Sequence, residues 1–343
     1  MTRPLAISQL SPIGLDIGAR SIKAAQLRRH GDSLRLEVAA EFRRAGEGAY
    51  PDADEIERIE SVLYRRGFVG GRVVLGIPRS EAIFEEIERP PRGEGVPADQ
   101  IVAAEVARVR RLEPGAIEHA WWEMPGTRQR ASAHTAMATA TLRDPLVETI
   151  DRFENVGLEV IRAEPVVTAL STVVFESRLA HDPFTVIVDG GWSGTSLGVL
   201  HKGVLVYQRS SEDCSLRSVA TRAATTGRLD ASVVVEMIRN AARGEVVSNA
   251  VVRRAFEELS GGIISEIEVS LGYASHRYRE EATGAVYLCG GIGAVRLMHE
   301  RAGQLPGCEA LPLLPSMLAS PDESGADAPS LAAACALAAR FGG

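Results

Sequence analysis

Residues 13–38 read IGLDIGARSIKAAQLRRHGDSLRLEV, and residues 185–209 read TVIVDGGWSGTSLGVLHKGVLVYQR. The two stretches follow one plan. Each begins with an apolar run that ends in an aspartate, Asp16 or Asp189, with glycine within two residues of it: Gly18 in one, Gly190 and Gly191 in the other. A short turn bearing hydroxyls comes next, with Ser21 in the first copy and Ser193, Gly194 and Thr195 in the second. A second run then reaches a glycine turn, at Gly31 or Gly203, and a third run leaves it. Short apolar runs broken at glycine predict β-hairpins. The repetition predicts two halves with the same opening.

The pattern has a chemical reason. Glycine lets the backbone come close to a polyphosphate, and successive N–H groups form a concavity for anions. Hydroxyls add donors. A carboxylate at each strand end suits Mg²⁺, which keeps several waters and binds through one or two acidic groups. The phosphate-binding candidates are therefore Asp16, Gly18 and Ser21 on one side and Asp189, Gly191, Ser193, Gly194 and Thr195 on the other, with Asp16 and Asp189 also the Mg²⁺ candidates, through water. Of 38 basic residues only Lys23 and Lys202 are lysine. Lysine and arginine are not interchangeable at phosphates, and Lys23, just past the first loop, is a further candidate.

Two more segments fit this scheme. Residues 285–305, AVYLCGGIGAVRLMHERAGQL, predict a strand, a turn at Gly290, Gly291 and Gly293, and a helix. Glycines there let a base or ribose lie against backbone. Ala163-Glu164-Pro165 precedes a helix-like run, VVTALSTVVFESRLA, directly before the second hairpin. Glu164, at that strand-to-helix crossing, is the candidate for orienting an attacking water.

Composition narrows the classes. The chain has 343 residues, 45% of them hydrophobic, and a formal net charge of −7, so a nucleic-acid binder with a basic footprint is not expected. No run reaches the roughly 18 apolar residues of a membrane span, and the first residues lack a secretory core, so the expected location is cytoplasmic. Cys214, Cys289, Cys308 and Cys335 are far apart with no C-x-x-C, and read as reduced small hydrophobes. His134 and His201 belong to no nucleophile or metal constellation.

The order of hairpin, Glu-Pro helix, second hairpin and Gly-Gly-x-Gly turn resembles that of the actin-like ATPases. Within them the chain looks most like the PilM-type pilus assembly proteins, which are related to FtsA. The resemblance rests on IGLDIGARSIKAAQL, on AMATATLRDPLVETIDRFENVGLEVIRAEPVVTAL and on the ending SLAAACALAAR. It implies an α/β fold of two duplicated ribonuclease H-like lobes, with an inserted α+β subdomain and a helical outer subdomain. It also implies ATP with Mg²⁺ in the cleft, and a role for Glu266 near the adenine. Two departures bear on the adenosine half: Val269 stands where the family usually has arginine, and Asp213-Cys214 where a glycine pair is usual.

The expected divisions are 1–78 for the first lobe, 79–162 for the insertion, 163–183 for a return helix, 184–209 for the second phosphate hairpin, 210–283 for the helical subdomain, and 284–343 for the adenosine motif and a C-terminal helix returning to the first lobe. Ile56, Ile59 and Leu63 predict a helical face within 51–70, Asp99 a helix cap, and Asp144-Pro145 another helix start. Trp121 and Trp122 are adjacent, so a strand sends them to opposite faces; one is expected in the core and the other partly exposed, where it is a candidate partner anchor.

Three functions compete on this reading. The leading one, implied by the resemblance, is an assembly scaffold that docks the N-terminal cytoplasmic peptide of a PilN-like inner-membrane protein, in a groove between the insertion and the first lobe. The others are a small-molecule kinase and an FtsA-like filament protein. Slow or negligible ATP turnover is expected, and a homo-oligomer stays open.

Overall fold

The computed structural model describes residues 9–31, 33–46, 48–89, 97–126, 134–181, 183–282, 284–320 and 327–340. In the first lobe β1 (Gln9–Ile17), β2 (Ser21–His30) and β3 (Ser33–Arg43) form an antiparallel meander, followed by α1 (Ala53–Arg65) and β4 (Arg72–Ile77). Then come β5 (Ile83–Arg89), α2 (Ala98–Arg110), β6 (Ile117–Glu123), β7 (His134–Leu142), α3 (Arg143–Asn155), β8 (Glu159–Pro165) and α4 (Val166–Glu176). The second lobe repeats the meander as β9 (Phe184–Gly190), β10 (Thr195–His201) and β11 (Val204–Ser211). It continues with α5 (Leu216–Gly227), α6 (Ala231–Ala241), α7 (Ala250–Tyr278), β12 (Gly284–Gly290), α8 (Arg296–Ala302), β13 (Cys308–Pro312), α9 (Pro315–Leu318) and α10 (Ala332–Ala338).

The duplication is visible in the sheets. One has the order β3-β2-β1-β4-β8 and the other β11-β10-β9-β12-β13, which is the same arrangement strand for strand. In each, the last two strands run parallel to the first, as their crossover helices require. Strands β1 and β9 are central and buried on both faces, hence their near-continuous apolar runs. Helix α1 is capped by Asp52, whose carboxylate accepts from Glu55 N at 2.9 Å, and it buries Ile56, Ile59 and Leu63 as their spacing predicts.

Helix α10 lies on β1 at unusually close range. An ideal Cβ on Gly14 would sit 2.0 Å from Ala334 O and 2.3 Å from Ala338 N. The alanines of α10, all buried, and the glycine of β1 are therefore one packing decision: small residues let a helix and a strand touch backbone to backbone. Helix α4 packs on α10, so the two helices form the hinge core between the lobes.

The span 79–162 divides in the structure. Strands β5, β7 and β6 form a separate antiparallel sheet with α2 on one face, enclosing Ile87, Val102, Val106, Ile117 and Ala138. Strand β8, however, pairs with β4 in the first sheet, and Phe153 of α3 is buried in the first lobe's core. The insertion thus ends near residue 142, because α3 and β8 are the crossover and strand that complete the first sheet. Two helix starts also differ. Pro97, not Asp99, caps α2, and Asp99 sits in its first turn with its carboxylate 3.3 Å from His119. Helix α3 is capped at Leu142, which puts Asp144 inside the first turn, where a carboxylate favours the dipole.

The insertion is fastened to the second lobe. Glu86 on β5 pairs with Arg277 of α7 at 2.6 Å and accepts from Tyr273 Oη at 3.0 Å. Trp122 Nε1 donates to Leu205 O of β11 at 2.7 Å, while Trp121 packs on the insertion's own core. Neither tryptophan is a free anchor for a partner; Trp122 anchors the insertion to the second lobe. No helix among the described residues is long and apolar enough to cross a membrane, and all four cysteines are free.

Candidate functional site

Parallel strands bring their carboxyl ends to one edge, and the two sheets point these edges at each other. Asp16 ends β1, and its ladder partner on β2 is Lys23. The two side chains form an ion pair at 3.2 Å. Burial alone would lower the Lys23 pKa, but Asp16, Glu41 and Asp189 outweigh it and raise it, so the ammonium stays charged. Gly18 N donates to Ser21 O at 3.1 Å and closes the first turn. A Cβ on Gly18 would meet Ser21 O at 3.0 Å and Lys23 Nζ at 3.1 Å, so the turn needs glycine.

Behind that turn lies a pair that the sequence reading did not single out. Arg44 and Glu55 are buried and joined at 3.0 Å; Glu55 also accepts from Ala45 N and Gly46 N. Arg44 N donates to Arg20 O at 2.9 Å, and Arg44 Nη1 to Gly18 O at 3.3 Å. The ion pair thus holds the carbonyls of the first turn.

Asp189 ends β9, where its ladder partner on β10 is Ser196 rather than a cation. Burial, then the charge of Asp16, pushes its carboxyl up to about 6, against the pull of Lys23 and Arg79. The second turn closes with Gly191 N donating to Gly194 O at 2.8 Å. Its carbonyls are held by helix α5: Leu216 N and Arg217 N, first-turn donors without intrahelical partners, reach Gly191 O and Trp192 O at 3.0 Å each.

First-lobe cations reach across to this turn. Arg20 lies 4.2 Å from the centre of the Trp192 ring. Arg79, just past the end of β4, donates Nη2 to Ser193 O at 2.9 Å, and its guanidinium fills the space beside Gly194, 2.4 Å from where a Cβ would be. Arg79 reaches the same edge as Asp16 because β4 is the parallel neighbour of β1, a pairing between strands distant in sequence. The Arg20–Trp192 contact joins different lobes and had no local signal.

The remaining candidates have partners of their own. Thr195 is turned inward, its hydroxyl spent on Cys214 O at 2.6 Å. Glu164 is ion-paired with Arg340 at 2.9 Å, which ties β8 to the end of α10. Glu266 pairs with Arg209 of β11 at 2.5 Å and lines a small cavity with Thr195, Cys214 and Ile263. The turn glycines have packing causes: a Cβ would meet Asp189 Oδ1 at 2.3 Å from Gly290, Leu216 Cδ1 at 2.8 Å from Gly291 and Pro329 Cβ at 2.4 Å from Gly293. The turn serves to bolt β12 to the second hairpin, with Ile292 N donating to Gly190 O at 3.2 Å. Among the histidines, His201 is buried and stacked on Tyr278 at 4.1 Å; the side chain of His134 lies outside the described residues.

The phosphate half of the site suits Mg²⁺ and a polyphosphate. Burial first, and then the charge of Asp16, raises the Asp189 pKa, and a divalent cation would relieve the repulsion between the two carboxylates. Among the described residues no group of three or more His, Cys, Asp or Glu side chains gathers, so water would complete the metal's shell. Lys23, Arg20 and Arg79 would supply positive charge for phosphates. The fit rests on this phosphate half.

Neither a protein-family model nor a curated protein matches this chain in sequence. Its backbone matches solved structures well. A structure of the PilM-PilN type IV pilus biogenesis complex superposes with a TM-score of 0.77 over 96% of this chain and 98% of that one, at 19% identity. The ethanolamine utilization protein EutJ from Carboxydothermus hydrogenoformans gives 0.53 over 97% and 90%, at 12% identity. A ROK family glucokinase from Streptomyces griseus, in complex with glucose and AMPPNP, gives 0.53 over 96% and 98%, at 14% identity. The chain has the actin-like ATPase fold.

Proposed function

We propose that this chain is a nucleotide-binding assembly scaffold of a type IV pilus or related secretion machine, held at the inner membrane by the N-terminal cytoplasmic peptide of a PilN-like protein. The observation that carries this is the likeness to a PilM-PilN structure, which at 96% coverage extends through the insertion. The insertion gives the two functions different requirements: a kinase needs a small-molecule pocket between the lobes, whereas a scaffold needs a groove on its outside. An open depression of about 500 Å³ lies where β6 meets α3, lined by Glu118, Arg143, Asp144, Val147, Glu148 and Asp151. Its acidic rim and exposed Val147 suit an extended peptide with basic and apolar side chains.

In the cleft, Asp16 and Asp189 would hold Mg²⁺ through water, and Lys23 and the glycine turns would face the phosphates of ATP. Bound nucleotide would supply the negative charge that the converging cations call for. Turnover is slow on this reading: Glu164, the candidate for orienting water, already spends its carboxylate on Arg340. A rate above about 1 s⁻¹, ordinary for enzymes, would make it an enzyme instead.

The test of the scaffold reading is co-purification from the native host's membranes. Wild type should retain a membrane protein, and exchanging the exposed acids of α3 (Glu148→Arg with Asp151→Arg) should release it. Undiminished retention by this folded double variant would refute the groove. Absence of any membrane partner, with phosphoryl transfer to a small molecule, would favour the kinase.

A further inference from the structure

Three first-lobe cations converge on the second hairpin's turn, but they are not equivalent. Lys23 has a carboxylate partner in Asp16, and Arg20 has the face of Trp192. Arg79 instead donates to a neutral backbone carbonyl, Ser193 O, while standing close enough to Asp189 to lower that carboxyl's pKa. A guanidinium binds a charged, two-pronged acceptor such as phosphate far better than a lone carbonyl. Arg79 thus spends its hydrogen bond on an uncharged acceptor at the point where a phosphate between the turns would lie.

Its position in the chain adds a second consequence. Arg79 follows β4 of the first lobe after Pro78 and leads into β5 of the insertion. Glu81 N and Ala82 N both donate to Pro78 O, at 2.9 and 3.2 Å, so a tight turn links the arginine to the first strand of the insertion. That strand carries Glu86, which grips Arg277 and Tyr273 on α7 of the other lobe. A shift at Arg79 has a short, hydrogen-bonded route to the contact that fastens the insertion.

We propose that Arg79 is a phosphate-contacting residue that couples the cleft to the insertion: a bound phosphate draws its guanidinium from Ser193 O, and the seat of β5 on α7 changes with it. This rests on the nucleotide reading above and adds the regulation of that site. A ligand shifts such an equilibrium only by its differential affinity for the two arrangements, and Arg79 supplies that difference.

The experiment uses the full chain and compares wild type, Arg79→Ala and Arg79→Lys by calorimetry with Mg²⁺-ATP, alongside hydrogen exchange of residues 83–89. Arg79→Ala should weaken Mg²⁺-ATP by about tenfold or more, as loss of a charge-assisted contact does, and Arg79→Lys should recover part of it. Mg²⁺-ATP should alter exchange in 83–89 in wild type, and at saturation should leave it unaltered in Arg79→Ala. A residue with a merely structural role would lower the melting temperature of nucleotide-free protein and leave both readouts unchanged. Wild-type affinity in Arg79→Ala, or an unchanged exchange response, overturns this proposal while the nucleotide site stands. Absence of nucleotide binding by wild type overturns the site as well, and leaves the membrane-partner test to be read separately.

Discussion

The first hairpin carries its own counter-charge, and the second does not. Asp16 faces Lys23 across its ladder, whereas Asp189 faces Ser196 and takes its cations, Lys23 and Arg79, from the other lobe. The turns are also held differently. Arg44, anchored on Glu55, grips the carbonyls of the first by side chain; the start of α5 grips those of the second by backbone N–H. Duplication preserved the topology while the charges and supports diverged. The second half of the site thus draws its cations from the other lobe.

The largest effect should come from swapping the strand cores. Gly14 and Ile187 occupy matching places, two residues before each aspartate, but Gly14 admits α10 and Ile187 fills the hinge core. Gly14→Ile and Ile187→Gly should each cost about 4 kcal/mol or more in urea unfolding, the range reserved for core overpacking and cavities. A stable Gly14→Ile protein would break the claim that α10 seats on β1.

Next comes the support of the turns. Arg44→Met leaves the Glu55 carboxylate buried and unpaired, at a cost of about 3–5 kcal/mol, while Arg217→Ala removes no backbone donor and should stay within about 0.5 kcal/mol. Burial alone would raise the Glu55 pKa, but the Gly46, Arg44 and Ala45 donors outweigh it and lower it. Its contribution is therefore present above the ordinary carboxylate range and lost as pH falls through the lowered value, and Arg44→Met should weaken that acid dependence while the Gly46 and Ala45 donors keep part of it.

The aspartates should then respond with opposite signs. Asp189 is raised to about 6 from 3.8, so the folded state binds its proton more tightly than the unfolded chain does. Stability from this group is present below 3.8 and lost as pH rises toward 6, by up to about 3 kcal/mol. Asp189→Asn should thus stabilise the nucleotide-free protein at pH 8, while Asp16→Asn destabilises it by leaving Lys23 without its partner. Equal destabilisation by both would erase the asymmetry. Smallest of all, Trp192→Leu removes the surface under Arg20 and should cost about 1 kcal/mol in thermal melts.

How far the sequence reached follows the range of the interactions. The hairpins, α1 and the helices α5 to α7 were legible because periodicity and glycine punctuation are local. The end of the insertion was not: only the pairing of β8 with β4, distant in sequence, assigns α3 and β8 to the first lobe. Within the site, Asp16, Lys23 and Asp189 were legible as strand-end charges. Thr195 and the glycines at 290, 291 and 293 match a ligand-binding pattern and also have packing roles, and a hydroxyl that caps Cys214 O or a glycine that admits Asp189 looks the same in sequence as a ligand group. Arg79 and the Arg44–Glu55 pair were passed over because an isolated arginine carries no period.

If the two unlike hairpins make one Mg²⁺-dependent phosphate site, as proposed above, metal and nucleotide must bind together at Asp16 and Asp189. Calorimetry of wild type, Asp16→Asn and Asp189→Asn with ATP, with and without Mg²⁺, tests it most directly. One site per chain is expected in wild type, tighter with the metal, with that metal-dependent gain lost in either variant. Binding that ignores Mg²⁺, or equal Mg²⁺-ATP affinity in all three proteins, would contradict it.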